Sequence, residues 1–278
     1  MRLWHLRNEI WQLPPQGGIM GILNVTPDSF SDGGQHATTA AALEHAERML
    51  HEGAHIIDIG GESTRPGSTP VPEDEEMRRV LPVITALRER HPAARISIDT
   101  RHATVAAAAL RVGADIVNDI SGLADPRMRA LCAEQPCGII LMHMQGTPAT
   151  MQQAPHYQDV VAEVRDFFAE RVAQAERDGI APQRICLDPG IGFGKTTEHN
   201  LALIRNLSEL RVRDLPLMMA LSRKRFIGEI LHNPELAKTS PLPTVALSLL
   251  SADHGADLHR VHDISPLHHA LTLRHSLT

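Results

Sequence analysis

Short apolar runs of a few residues alternate along the chain with longer stretches whose apolar positions recur every three or four residues. The runs read as strands buried on both faces, and the longer stretches as amphipathic helices. Strands are expected at residues 18–23, 55–60, 95–98, 115–117, 137–142, 184–187, 216–221 and 257–261. Helices are expected at 38–50, 73–90, from 100 or 101 up to Gly113, at 126–134, 159–178, 198–210, 224–232 and 243–254, and after Pro266. Strands that alternate with helices call for a parallel sheet. About eight such units follow one another with no break in composition. In a chain of 278 residues this predicts an α/β fold, a closed (β/α)8 TIM barrel in a single domain, rather than a doubly wound sheet. Residues 18–278 form the barrel, and 1–17 a short N-terminal lead-in, a strand or hairpin. Gly-Ala precedes a strand at Gly53-Ala54, Gly113-Ala114 and Gly255-Ala256, a helix C-cap repeated with the architecture.

Polar residues stand where the strands stop. Asn24, Asp58, Asp99, Asn118, Asp119, His143, Asp188, Ser222 and His262 all lie at or just past an expected C-terminal strand end. In a barrel these ends converge on one mouth, the face on which barrel enzymes carry their sites. One Asp after a strand is ordinarily a helix N-cap. Capping alone does not explain so many, and carboxylates buried together need a ligand or cation to satisfy them. The first strand opens into residues 24–34, a polar loop with one aromatic, Phe30, in a chain with only 3% aromatic residues. Loops of this kind build ligand sites, and a ligand-free crystal is expected to show this one mobile or displaced.

Composition narrows the function classes. The formal net charge is −6 with neutral His, and no basic patch of nucleic-acid type is present, so no nucleic-acid partner is expected. The acidic run Glu73-Asp74-Glu75-Glu76 follows Pro72 and is expected to complement a helix dipole. Three cysteines without a framework point to a reducing, cytoplasmic compartment. No run of 18 apolar residues and no signal-peptide core are present, so no membrane partner is expected. The 17 histidines are scattered, which argues against a His-built metal site.

Three constellations carry chemistry. Arg65 after Ser63-Thr64, Ser222-Arg223-Lys224 at a helix start, and Arg260 with His262 suit phosphate or carboxylate. Asp99, Asn118 and Asp188 offer fixed acceptors plus one amide, a set that suits a flat heterocycle with adjacent N–H donors and a carbonyl. Asp188-Pro-Gly-Ile-Gly-Phe-Gly-Lys195 lets backbone approach a flat ligand, with Phe193 as a stacking surface. Its Gly-Lys-Thr end imitates a P-loop, but Pro189 stands where the first glycine belongs, which rejects a nucleoside-triphosphate site.

With these motifs the chain resembles the dihydropteroate synthases of the folate pathway. The likeness runs through MGILNVTPDSFSDGG (20–34), GGESTRPG (60–67), SIDT (97–100), NDISG (118–122), LMHMQGTPATMQ (141–152), LDPGIGFGK (187–195), SRK (222–224) and RVHD (260–263). It implies condensation of 6-hydroxymethyl-7,8-dihydropterin diphosphate with p-aminobenzoate, giving 7,8-dihydropteroate and pyrophosphate. It places the pterin on Asp99, Asn118, Asp188, Phe193 and Lys224. The pyrophosphate falls on Asn24, Thr64, Arg65, Arg260 and His262, with Mg2+ as the cofactor and Asn24 as its ligand. The aminobenzoate falls between Thr64, Pro66, Phe193 and Ser222. Arg65, Asp99, Lys224 and the lid residues Asp28 and Phe30 are implied at the reacting centre. The family also implies a homodimer.

Two departures stand out. Arg225 replaces the small hydroxyl residue that commonly follows Ser-Arg-Lys, and either holds the aminobenzoate carboxylate or points to solvent. Leu242-Pro243-Thr244 stands where the family usually has Gly, and a shifted helix start without loss of function is expected. Two other readings are a pterin-dependent methyltransferase with a corrinoid partner and a paralogue that only binds pterin. The anion set of Asn24, Arg65, Arg260 and His262 argues against the first, and the intact loops at 28–30 and 64–66 against the second.

Overall fold

A computed structural model describes residues 2–26, 34–63 and 70–277, the side chains of 34–38 excepted. The chain opens with an antiparallel hairpin, β1 (Leu3–His5) and β2 (Ile10–Gln12). Eight parallel strands follow: β3 (Gly18–Asn24), β4 (Ile56–Gly60), β5 (Arg95–Asp99), β6 (Ile116–Asp119), β7 (Gly138–Met142), β8 (Ile185–Asp188), β9 (Met218–Met219) and β10 (Leu258–Val261). From β3 to β8 each strand pairs with the next in sequence, and β10 pairs with both β3 and β9. A parallel bridge between Leu187 and Leu217 brings the two sheet edges together, so the strands form a (β/α)8 barrel.

The helices between the strands are α1 (Gly34–His51), α2 (Glu73–Arg90), α3 (Ala103–Val112), α4 (Pro126–Glu134), α5 (Val160–Arg177), α6 (Thr197–Arg205), α7 (Arg225–Ile230), α8 (Pro234–Thr239), α9 (Leu242–Asp253) and α10 (Ile264–Leu277). Alternation along each strand divides the core in two. Outward residues such as Ile57, Ile59, Ile98 and Leu141 join Val80, Ile84, Leu87 and Phe168 of the helices in the larger cluster. Inward residues Met20, Ile56, Ile116, Ile140, Cys186, Met218 and Leu258 form a second cluster with Trp4, Leu6, Trp11 and Leu13. The hairpin therefore closes the N-terminal end of the barrel, and Trp4 Nε1 donates to the Arg184 carbonyl at 2.8 Å.

Several boundaries differ from the sequence expectation. The strand expected at 216–221 pairs over two residues only, because it touches β8 through Leu217 alone. The helix expected from residue 100 or 101 starts at Ala103. Thr100 N still bonds the Asn118 carbonyl at 3.0 Å, and the Thr100 hydroxyl accepts from His102 N at 3.1 Å. The helix expected at 198–210 breaks at Asn206 and ends in a 3-10 turn, Leu207–Leu210. Helix α8 was not expected, although Asn233 caps it by accepting from Leu236 N at 3.0 Å and Pro234 opens it. Pro243 sits in the first turn of α9, so the helix start accommodates it.

The acidic run fills the first turn of α2 as expected, and within it Glu76 is fully buried. Burial pushes its pKa up to about 7, opposed by the nearby Thr100 hydroxyl, which stands short of a well-formed hydrogen bond.

Candidate active site

The inward alternation that gives an apolar bottom gives a polar mouth two residues further along the same strands. From Ile56 it reaches Asp58, from Ile116 Asn118, from Cys186 Asp188 and from Leu258 Arg260. One more step reaches the rim, with Asn24 at the end of β3, Asp99 at the end of β5, Ser222 past β9 and His262 past β10. Register sets Asn24 beside Gly60 and Gly60 beside Asp99.

Arg260 is the hub of this layer. Its Nε donates to Asp58 Oδ2 at 2.6 Å and its Nη2 to Asp99 Oδ2 at 2.6 Å. Asn118 Nδ2 donates to the same Asp58 oxygen at 3.1 Å. The other oxygens, Asp58 Oδ1 and Asp99 Oδ1, are buried and accept no hydrogen bond among the described residues. Burial and the neighbouring carboxylates Asp58 and Asp119 hold Asp99 well above the usual carboxylate range, against the pull of Arg260. The guanidinium is itself held more firmly protonated by Asp58 and Asp99, which outweigh its burial. A cation shared by two carboxylates leaves one of them the easier to protonate.

The second cluster joins β8 to α7. Asp188 Oδ1 accepts from Gly190 N at 2.7 Å. Burial raises the pKa of Asp188, opposed by that bond and by Lys224. Lys224 Nζ stands 4.2 Å from the centre of the Phe193 ring, a cation–π contact. Burial lowers the Lys224 pKa to about 8, with Asp188 opposing. At the rim, Ser222 Oγ lies 2.9 Å from His262 Nδ1 and accepts from His262 N at 3.2 Å.

The structure thus brings together Asn24, Asp99, Asn118, Asp188, Phe193, Ser222, Lys224, Arg260 and His262 at one end of the barrel. Arg260, expected at the pyrophosphate, has its Nε and Nη2 engaged by the buried carboxylates of Asp58 and Asp99. Arg225 resolves to solvent: its side chain is 84% exposed and its Nε meets Glu229 Oε1 at 2.9 Å. Asp28, Phe30, Thr64, Arg65 and Pro66, with the expected mobility of the first loop, lie outside the described residues.

Sequence reasoning passed over two features. Asp58 was recognised as a strand end without a role, yet its inward register from Ile56 carries the signal. Lys195 was noted only as a P-loop imitation. It is buried, and its Nζ donates to the carbonyls of Gly190 and Phe193 at 3.0 and 2.9 Å and meets His143 Nδ1 at 2.9 Å. Burial pushes Lys195 down to about 7 and His143, beside it, down to about 3, so the imidazole is a neutral acceptor. This cradle fixes the loop that presents Phe193. Gly190 is needed in it, with φ 66° and no room for a Cβ against the His143 carbonyl.

Comparison with known proteins agrees with this geometry. Residues 20–262 match the family described as "Pterin binding enzyme". The dihydropteroate synthase of Escherichia coli (strain K12) is 46% identical over 246 residues, covering 88% of this chain and 86% of that protein. The structure of Xanthomonas albilineans dihydropteroate synthase with 4-aminobenzoic acid superposes with a TM-score of 0.86 at 46% identity, covering 94% of this chain and 93% of that one. The same enzyme in complex with 7,8-dihydropteroate gives 0.87 at 42% identity over 97% and 96% of the two chains. Polar barrel mouth, motif order and near-complete coverage agree, and the chain belongs to the pterin-binding enzyme family, among its dihydropteroate synthases.

Proposed function

We propose that this chain condenses 6-hydroxymethyl-7,8-dihydropterin diphosphate with p-aminobenzoate, giving 7,8-dihydropteroate and pyrophosphate, and that the barrel mouth performs the reaction. The observation that carries the site assignment is the pair of buried, unpartnered acceptors Asp58 Oδ1 and Asp99 Oδ1 beside the Asn118 amide. Acceptors stripped of water and left unpaired are costly. A pterin ring brings adjacent N–H donors that satisfy them. Asp188 and Lys224 bind its other edge, and Phe193 covers the ring.

In the reaction the amine nitrogen forms a bond to the pterin methylene carbon while the C–O bond to pyrophosphate breaks. The amine gives up one proton, and the leaving group takes the bonding electron pair. Negative charge grows on the leaving oxygen, and Arg65, Thr64 and His262 stabilise it there. Arg260 contributes through the field of its shared charge. Positive character at the methylene is stabilised by the ring and by Asp99 and Asp188. An aniline nitrogen is a weak nucleophile, so placement and water exclusion matter more than a strong base. Thr64, Pro66, Phe193 and Ser222 place the aminobenzoate, and Asp28 and Phe30 close over it.

Mg2+ fits this mouth. Asn24 ends β3 as a half-buried amide, a hard oxygen ligand, and Mg2+ is commonly held by one or two protein oxygens together with substrate phosphates. Bound there with the diphosphate, it would neutralise charge on the leaving group.

We place the protein in the cytoplasm as a homodimer. Its three cysteines are free and buried, and no described helix is long and apolar enough to cross a membrane. Leu242 and Leu250 of α9 and Leu273 of α10 are 69, 52 and 67% exposed, apolar surface that a second copy would cover. Residues 1–17 serve as the barrel's lower closure and 18–278 as the barrel itself. The deciding experiment is pyrophosphate release by the purified protein. It should require both substrates, and release without p-aminobenzoate or none with both present would refute the reading.

A further inference from the structure

Behind the substrate layer, a fully buried carboxylate has no well-formed hydrogen bond among the described residues. Glu76, in the first turn of α2, is 0% exposed, and among the described residues neither of its oxygens accepts a well-formed hydrogen bond. His102, at the N-cap of α3, has its Nε2 buried and equally unpartnered. Glu62, two residues past β4, completes the group. One ligand atom from each of the three lies within 4.8 Å of the other two.

The second ring nitrogen of His102, Nδ1, stands 3.4 Å from Glu73 Oε1. A metal-bound imidazole ordinarily has such an outer carboxylate, which fixes its tautomer and strengthens it as a ligand. Arg101 does not fill the gap. Its Nε and Nη2 each lie 3.1 Å from an oxygen of Glu62, and it makes no hydrogen bond to Glu76. A dry carboxylate with no counterpart is costly, and a cation between the three ligands would remove that cost.

We propose that Glu62, Glu76 and His102 form a binding site for one divalent cation of the zinc or manganese class. Two carboxylate oxygens and one imidazole nitrogen suit these ions better than Mg2+, which favours oxygen alone. Glu62 Oε1 also accepts from Val71 N at 3.2 Å, so it holds both ends of the connection between β4 and α2. A cation here ties that connection to the starts of α2 and α3. It binds without either substrate, and the site stands whether or not the proposed reaction does.

Metal-stripped full-length protein, free of pterin and aminobenzoate, is titrated with Mn2+ followed by electron paramagnetic resonance and with Zn2+ followed by calorimetry. One equivalent per chain is expected. Glu76→Gln should weaken binding by about a hundredfold. Glu73→Gln, which changes only the outer carboxylate at a partly exposed position, should weaken it by about tenfold and decides the matter if Glu76→Gln does not fold. Asn24→Ala should bind as the wild type does. No binding up to millimolar ion, or wild-type affinity in folded variants at 76 and 73, overturns the proposal. Loss of the equivalent in Asn24→Ala would place the ion at the barrel mouth and overturn it too.

Discussion

The bottom and the mouth of the barrel interior are made by the same strands, two residues apart, and they obey opposite rules. At the bottom Ile56, Ile116, Cys186 and Leu258 meet the Trp4 and Trp11 rings in an apolar cluster. At the mouth the next inward positions are Asp58, Asn118, Asp188 and Arg260, and buried oxygens go unpaired. The bottom follows the hydrophobic effect and should cost stability when cut. The mouth carries strain that a ligand relieves, so cutting it should cost function more than stability.

The largest effect expected from this contrast is at Asp188. Asp188→Ala removes a buried carboxylate that a pterin would use, and turnover should fall by about three to four orders of magnitude. Calorimetry should show no binding of a pterin ligand, and the melting temperature should fall less than in Trp4→Ala, since loss of Asp188 leaves only Gly190 N and Lys224 unpaired. Unchanged affinity would break the contrast at its functional end. Trp4→Ala tests the other end. Trp4 is fully buried and its indole donates to Arg184. Its loss should cost about 3–5 kcal/mol of stability and lower the melting temperature by about 10 °C. Where the variant stays folded, its affinity for pterin should match the wild type. A loss of affinity without a loss of stability would mean that the bottom shapes the site directly.

The alternation itself shows how far the chain could be read in advance. Apolar runs ending in Asp or Asn made both the barrel and the mouth legible, because a period of two needs no tertiary information. What the sequence hid were partnerships across strands. Asp58, Asn118 and Arg260 stand on β4, β6 and β10, 60 and 202 residues apart in pairing, and only barrel closure brings them together. The Lys195–His143 contact is likewise a tertiary event between two loops. Glu76 shows the same limit. Its place on a helix's first turn is legible in the sequence, but only packing in the fold shows that it is dry.

A smaller effect separates binding from stability at Lys224. Its pKa in the fold is about 8, below the ordinary lysine value of 10.5 given by the free side chain. Below pH 8 it is an ammonium that can donate to a pterin; above it the charge is lost. Affinity for a pterin ligand should therefore fall through pH 8, by about tenfold between pH 9 and 10 where each unit removes most of the remaining charged form. Stability moves the other way. Between pH 8 and 10.5 the unfolded chain binds the proton that the folded one has released, so this group's contribution to stability rises with pH. Calorimetry and denaturant unfolding across pH 7–10 give the two slopes. Lys224→Arg, which stays charged, should flatten the binding slope, and a fall that persists in that variant would assign it to another group.

The smallest effect is expected at Arg225, one residue beyond Lys224 yet on the other side of the boundary between mouth and solvent. Its side chain is 84% exposed and paired with Glu229 one helical turn on. An exposed pair of this kind contributes about 0.3–0.5 kcal/mol. Arg225→Ser restores the small hydroxyl residue common in the family and should shift stability by no more than that, with KM for p-aminobenzoate changed by less than about twofold. A rise in KM of tenfold or more would show that Arg225 turns inward to hold the aminobenzoate carboxylate during turnover. The mouth would then extend past Ser222 onto α7, and an arginine, with its planar pair of donors, would replace a hydroxyl as the carboxylate's partner.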